Sequence, residues 1–323
     1  MFYTKDFQVI AQNDLYLSFP DIIQGKTNRN ELFIVYRSAD AHLPQASTLH
    51  LLHSLDSGLT WKKIYSKTLT LTKNKKAWNC PRLSYFPDGS LNIICDTKTH
   101  VRETLSQLNV SIIKSYNNGK TWEEPVETEM NGMVPDRVIK FQNKLFCANH
   151  QIKNLKNKLV QKINWSEDNG KTWKNEATIA NSILHNFCEA SIVNVKDKYL
   201  LAYLRDNHIS PKKSWIYKSI DGKSWKKYKK MPISGHRIVA IPYKNKIIGI
   251  YRDTKNITLS IFVQKDDKII ETYDIAKEMP QNKYHFGYAG IVNYYKNLFY
   301  ITYYIQHDMR RPYIKTCILE YDS

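Results

Sequence analysis

The chain has 323 residues, with 48 Lys and Arg against 30 Asp and Glu, and a formal net charge of +18 at neutral pH. A hydrophobic share of 42% is that of a globular protein with ample material for a core, and no apolar run approaches the roughly 20 residues of a membrane-spanning helix. Excess positive charge is read either as a solubilising lysine surface or as attraction for an anionic partner. The lysines are spread along the chain and no nucleic-acid-binding motif is present, so a glycan is the expected partner and nucleic acid is not.

The N-terminus, Met1-Phe2-Tyr3-Thr4-Lys5-Asp6, has no basic stretch followed by an apolar one. A cytoplasmic location is expected, with export by a route lacking a cleaved signal left open. The five cysteines, Cys80, Cys95, Cys147, Cys188 and Cys317, are odd in number, lie mostly in apolar runs and show no CxxC spacing. They are expected to be reduced core thiols, with neither a metal site nor a cofactor.

Along the chain, short apolar strands recur in six units. The second strand of each unit reads Leu32–Arg37, Leu91–Asp96, Leu145–His150, Leu200–Arg205, Ile247–Arg252 and Leu298–Tyr304. Such continuous apolar runs suit strands covered on both faces. Between them a turn motif repeats. Ser54-Leu55-Asp56-Ser57-Gly58-Leu59-Thr60-Trp61 returns as Ser115–Trp122 and Ser166–Trp173, and in shortened form as Ser219–Trp225. The tryptophans are 61, 51 and 52 residues apart. In this motif the Asp or Asn side chain can hold backbone amides, Gly supplies a positive φ, and Trp packs back under the turn inside its own blade. Asp56, Asn117, Asp168 and Asp221 are therefore read as structural. The pattern predicts one domain over residues 1–323, an all-β six-bladed propeller of four-stranded antiparallel blades, with the first and last units sharing a blade to close the ring.

In such a propeller the starts of first strands and the ends of second strands emerge together around the axis. The strand starts supply Asp21, Arg82, Asp136-Arg137, Glu189, His236-Arg237 and Tyr288. The strand ends supply Arg37, Asp96, His150, Arg205, Arg252 and Tyr303-Tyr304. This ring is the candidate site, although charges at strand ends also occur simply because strand ends meet water.

The repeated turns are Asp boxes, and with the six units they resemble the sialidase (neuraminidase) superfamily over almost the whole chain. The boxes also occur in other enzymes and in binding proteins. Cys188-Glu189-Ala190-Ser191, followed by Arg205, is similar to the segment in which a Glu precedes an Arg of the family's carboxylate-binding triad. Gly287-Tyr288-Ala289-Gly290 stands where the family places its Tyr nucleophile, and Arg252 resembles the last triad Arg. The resemblance implies a retaining glycosidase acting on an acidic sugar, with Tyr288 as nucleophile and Glu189 as its base. A neutral Tyr avoids the repulsion that a carboxylate nucleophile would meet from the sugar's own carboxylate. The pattern departs at Tyr16-Leu17-Ser18-Phe19-Pro20, where Ser18 replaces the triad's first Arg, and Arg37 is the candidate to supply that charge. Asp40 is read as the acid/base group, with His42 as competitor. Arg237, Arg82, Arg137, Asp96 and His150 complete the expected substrate-binding ring. Two alternatives stay open: a non-catalytic carbohydrate- or protein-binding propeller, and lyase or transferase chemistry on the same fold.

Overall fold

The computed structural model describes residues 1–99, 109–153, 158–207, 213–276, 285–307 and 311–322. Its strands form six four-stranded antiparallel sheets arranged as blades. Blade 1 holds β2 (Tyr16–Gln24), β3 (Leu32–Ala39), β4 (Ala46–Ser54) and β5 (Lys62–Thr70). Blade 2 holds β6 (Ala77–Tyr85), β7 (Leu91–Lys98), β8 (Asn109–Ser115) and β9 (Val126–Asn131), and blade 3 holds β10 (Ile139–Phe141), β11 (Lys144–Lys153), β12 (Lys158–Ser166) and β13 (Asn175–Ala180). Blade 4 holds β14 (Phe187–Val195), β15 (Tyr199–Asp206), β16 (Ser214–Ser219) and β17 (Lys226–Lys230), and blade 5 holds β18 (Gly235–Tyr243), β19 (Lys246–Asp253), β20 (Thr258–Lys265) and β21 (Lys268–Ala276). Blade 6 takes β22 (Phe286–Tyr295), β23 (Leu298–Ile305) and β24 (Tyr313–Tyr321), and its outermost strand is β1 (Phe2–Ala11) from the other end of the chain. The ring is thus closed by pairing β1 with β24, Phe2 opposite Tyr321 and Ala11 opposite Ile314.

The core lies between blades rather than in one centre. Apolar side chains from facing sheets meet at each junction, for example Phe33, Val35 and Leu49 of blade 1 against Trp78, Leu83 and Ile93 of blade 2. Equivalent clusters join blades 2 and 3, 3 and 4, 4 and 5, 5 and 6, and 6 and 1. This is why the second strands read as unbroken apolar runs: β3 is buried at every residue.

The Asp boxes form the hairpins between third and fourth strands, on the face opposite the strand ends that carry Arg37 and Arg205. In the first, Asp56 Oδ1 accepts from the Ser54 hydroxyl at 2.7 Å and from the Thr60 amide at 2.9 Å. Trp61 Nε1 donates to the Gly58 carbonyl at 3.1 Å. Asn117, Asp168 and Asp221 repeat the amide bond. The expectation that each Trp packs inside its own blade needs correcting. Trp61 lies against Tyr300 of blade 6, Trp122 against Tyr65 of blade 1 and Trp173 against Phe86 of blade 2. The box therefore staples each of these three blades to the one before it.

The first strands carry a common irregularity that shapes the site. Their register slips between Ser18 and Asp21, Trp78 and Pro81, Cys188 and Ser191, His236 and Val239, and Phe286 and Ala289. Four bulges hold a residue at positive φ: Phe19 (55°), Glu189 (53°), Arg237 (44°) and Gly287 (77°). For a non-glycine this conformation is costly. Its repetition around the ring makes it a property of the fold, in which bulges re-aim side chains toward the axis.

Candidate active site

Two of these bulges bring the central pair together. Glu189 occupies the bulge of β14, and Tyr288 follows Gly287 in the bulge of β22. The Tyr288 hydroxyl lies 2.8 Å from Glu189 Oε1 and 2.9 Å from Oε2. Arg205, at the end of β15, donates through Nη1 to Glu189 Oε1 and to the Tyr288 oxygen, both at 2.8 Å, and its Nη2 donates to Asn207 at 2.9 Å. The Arg205 guanidinium is thus oriented by Asn207 and addresses both Glu189 and Tyr288.

The electrostatics assign protonation states. Burial acts to raise the Glu189 carboxyl, but Arg205 and Arg237, with the Arg205 hydrogen bond, outweigh it and hold Glu189 well below the usual carboxylate range. Burial pushes the Tyr288 phenol far up, against the pull of Arg205. The resting pair is a neutral phenol donating to a carboxylate, with a fixed cation against the oxygen that would become phenolate. That is the arrangement an activated oxygen nucleophile requires.

Around this pair, Arg252 from the end of β19 places its guanidinium 4.9 Å from the Tyr288 ring centre, and Nη2 lies 2.6 Å from His236 Nδ1. Arg37 sits directly opposite Ser18 in the β2–β3 register. Its Nε donates to the Ser18 hydroxyl at 3.2 Å and its Nη2 to the His42 carbonyl at 3.2 Å. Arg37 has no exposed surface, and its Nη1 has no hydrogen-bond partner among the described residues. The guanidinium stacks on Phe19 at 4.7 Å, and Phe19 in turn lies 5.5 Å from Tyr288, so Arg37 stands one ring behind the central pair. A wall of Tyr16, His42 and His285 completes this side. The Tyr16 hydroxyl lies 3.2 Å from His42 Nδ1 and 2.6 Å from His285 Nδ1. Burial, followed by Lys98 and Arg37, pulls His42 down to about 3, leaving it neutral.

Several members of the expected ring do other work. Asp40 is exposed, and its carboxylate accepts from the amides of Gln45 and Ala46, so it caps the β3–β4 loop while His42 takes the place in the wall. Asp96 is spent on Asn79, the Cys80 amide and the Val134 amide, which ties blade 2 to blade 3. Arg137 makes its bonds to Asp21, Ile22 and Ile291, two to three residues further along the first strands than Phe19 and Tyr288. It is a brace across the axis, not a clamp in the pocket. Arg82, 1% exposed, reaches the Pro20 carbonyl and Asp21, and Arg237, also 1% exposed, reaches the Pro135 carbonyl. Arg237 acts on Glu189 and His150 through its charge, whereas the charge of Arg82 acts on Asp21 and Asp136. His150 accepts the Glu189 amide on Nδ1 at 3.4 Å; burial, the largest cause, pulls it down to about 4.

The sequence reading missed Lys98, Tyr16 and His285. Lys98 lies two residues beyond Asp96 on the same strand, and its ammonium is pulled down by burial, with Arg37 adding to the effect. Two-residue periodicity past the apparent strand end was the available signal. His285 precedes β22 and carried none. Among the described residues, no group of three or more His, Cys, Asp and Glu is placed to hold a metal ion.

Residues 64–285 match the model of the BNR repeat-like domain family, and the chain belongs to that family. No curated protein sequence matches it. Among solved structures, a protein of unknown function from Dyadobacter fermentans superposes with a TM-score of 0.83 at 20% identity, over 99% of both chains. A sialidase from Streptococcus pneumoniae gives 0.70 at 12% identity, over 97% of this chain and 70% of its own. An α-L-arabinofuranosidase of Fusarium graminearum, in complex with arabinobiose, gives 0.69 at 13% identity, over 99% and 98%. At these identities the likeness is one of fold: a sialidase-like six-bladed propeller whose structural neighbours include glycoside hydrolases.

Proposed function

We propose that this BNR-repeat propeller is a retaining glycosidase of the sialidase type, acting on a sugar that carries an anionic group beside its anomeric carbon. The observation that carries the reading is the three-way contact of Tyr288, Glu189 and Arg205. The Tyr288 oxygen attacks the anomeric carbon as its proton passes to Glu189, and the bond to the leaving oxygen breaks. Water then reverses the exchange: it displaces the Tyr288 oxygen and gives a proton to the group that had protonated the leaving oxygen, while the Tyr288 oxygen takes its proton back from Glu189. Arg205 accompanies the oxygen through both steps with a charge-assisted hydrogen bond. The anionic group of the sugar is held by Arg205 and Arg252, with the charge of Arg37 behind Phe19.

In this reading the leaving oxygen is protonated by His42 rather than Asp40, whose carboxylate is engaged by the loop amides. His42 is neutral in the free protein because of burial and of the charges of Lys98 and Arg37. An anionic sugar seated against those cations cancels part of that effect and draws His42 toward protonation. The test is hydrolysis of aryl glycosides of a carboxylated ketose, a hexuronic acid and a neutral pentofuranose by wild type and Tyr288→Phe. Turnover of an acidic glycoside by wild type and its loss in the variant are expected. Turnover by neither protein on any of the three, or equal rates in both, would overturn the proposal.

A further inference from the structure

Beneath the pocket, the axial channel is crossed by three arginines. Arg137 is fully engaged, with a two-pronged bond to Asp21 and bonds to two carbonyls. The other two are not. Arg82, from blade 2, makes one long bond, Nη1 to the Pro20 carbonyl at 3.5 Å, with Asp21 3.7 Å away, and its Nε and Nη2 have no hydrogen-bond partner among the described residues. Arg237, from blade 5, makes one bond, Nη2 to the Pro135 carbonyl at 3.3 Å, and its Nε and Nη1 have no hydrogen-bond partner among the described residues. Each side chain is 1% exposed.

Four unpartnered guanidinium nitrogens at the centre of a propeller are expensive, because a buried donor left unsatisfied loses its hydration without return. The two groups also lie within electrostatic reach of each other, and after burial Arg237 is the largest influence lowering Arg82. A second carboxylate, Asp136, spends an oxygen on the Ile192 amide at 2.7 Å and forms no ion pair with either arginine among the described residues. Its carboxyl is raised by burial, with Arg237 and Arg82 opposing. Asp21 makes its short, two-pronged pair with Arg137 and lies 3.7 Å from Arg82 Nη1, so one carboxylate is shared between two arginines and none is paired with Arg237 among the described residues. Two buried, mutually repelling cations with free donors, and carboxylates shared with other partners, are the chemistry of an anion site.

We propose that Arg82 and Arg237 hold a small inorganic anion of the halide class in the axial channel, separate from the sugar pocket. The anion completes the hydrogen bonding of both guanidiniums and offsets their repulsion, so blades 2 and 5 are joined across the axis through it. Ordered water would satisfy the donors but leave the repulsion.

Two measurements on the whole chain decide between these. Crystals equilibrated with sodium bromide and recorded at the bromine absorption edge should show an anomalous peak between the two guanidiniums. Thermal unfolding at constant ionic strength, with gluconate replaced stepwise by chloride or bromide, should show a saturable rise of about 2–4 °C. Asp136→Asn keeps an acceptor for Ile192 while removing the competing charge, and should saturate at several-fold lower halide. Arg82→Met should lose the response; if that variant does not fold, the bromide map and the wild-type titration still decide. No anomalous peak, together with equal unfolding temperatures in chloride and gluconate, would show the channel to hold water and overturn the proposal. Neither measurement depends on the protein being a glycosidase.

Discussion

Tyr288 and Glu189 are 99 residues apart in sequence, stand on the inner strands of non-adjacent blades, and meet at 2.8 Å across the axis. The contact joins the chemistry to the fold, since neither residue has another way to reach the other. Tyr288→Phe keeps the ring that packs against Phe19 and Tyr304 and removes only the oxygen. It should fold normally, bind the acidic sugar nearly as well as wild type, and lose at least about 10³-fold in kcat. Glu189→Gln should keep Tyr288 in place but lose the base, at about 10²–10⁴-fold. A Tyr288→Phe protein that hydrolyses the same aryl glycoside at the wild-type rate would remove Tyr288 from the mechanism.

Ser18 and Arg37 face each other across β2 and β3, and the Arg37 Nε bonds to the Ser18 hydroxyl. A cation supplied from the second strand thus occupies the neighbourhood where the resemblance expects one from the first. Arg37→Ser should lower kcat/KM for the acidic glycoside about tenfold, the scale of a buried charge acting through space rather than of a direct hydrogen bond. The exchange Ser18→Arg with Arg37→Ser returns the charge to the first strand and should recover most of that loss. An Arg37→Ser protein with unchanged kcat/KM would make Arg37 a structural residue that merely packs on Phe19.

His150 offers a pH test of the ground beneath Glu189. Its Nδ1 accepts the Glu189 amide, so protonation would abolish that bond, and burial lowers the imidazole from 6.5 to about 4. The unfolded chain takes up the proton first as pH falls. The contribution of His150 to stability is therefore complete above about pH 6.5 and is lost progressively down to about pH 4, at no more than about 1.4 kcal/mol per pH unit. His150→Asn keeps an acceptor without a titration in this range. Urea unfolding should show a shallower decline below pH 6.5 in the variant than in wild type. His42, and His50 of β4, which burial also lowers, to about 4, are retained in both proteins, so the difference isolates His150, and parallel curves would show that its titration contributes nothing.

The ring as a whole was legible because a propeller maps strand starts and strand ends onto one circle, and the apolar runs show where those are. Glu189, Arg205 and Tyr288 were found this way together with the family resemblance. The same mapping could not separate residues that face the pocket from residues that brace the blades. Asp96, Arg137 and Asp21 look like their neighbours in sequence, yet their partners are backbone amides, carbonyls and charges on other blades. That distinction depends on the bulges, which turn Phe19, Glu189 and Arg237 by a local backbone change that leaves no mark in hydrophobic periodicity. Asp40 was preferred over His42 on residue type alone. The loop that seats the imidazole in the wall, with the Asp40 carboxylate capping its own turn, is a matter of three-dimensional path.

The boxes were also legible as turns, but their docking on the preceding blade was not, and it is open to measurement. Gly58 has φ of 86°, and a Cβ there would come within 2.4 Å of the Tyr300 ring of blade 6. The same ring's hydroxyl donates to the Gly58 carbonyl at 3.1 Å. Gly89 has nearly the same backbone, φ of 89°, with nothing within 4 Å of the corresponding Cβ. Both substitutions to Ala incur the left-handed backbone cost of about 1–2 kcal/mol. Only Gly58→Ala also forces Tyr300 away, which adds about 1–3 kcal/mol of overpacking. Urea unfolding of the two variants should therefore show Gly58→Ala to be the more destabilised by that margin. Equal destabilisation would mean that Tyr300 yields freely, and that the box of blade 1 does not hold the junction at which the ring is closed.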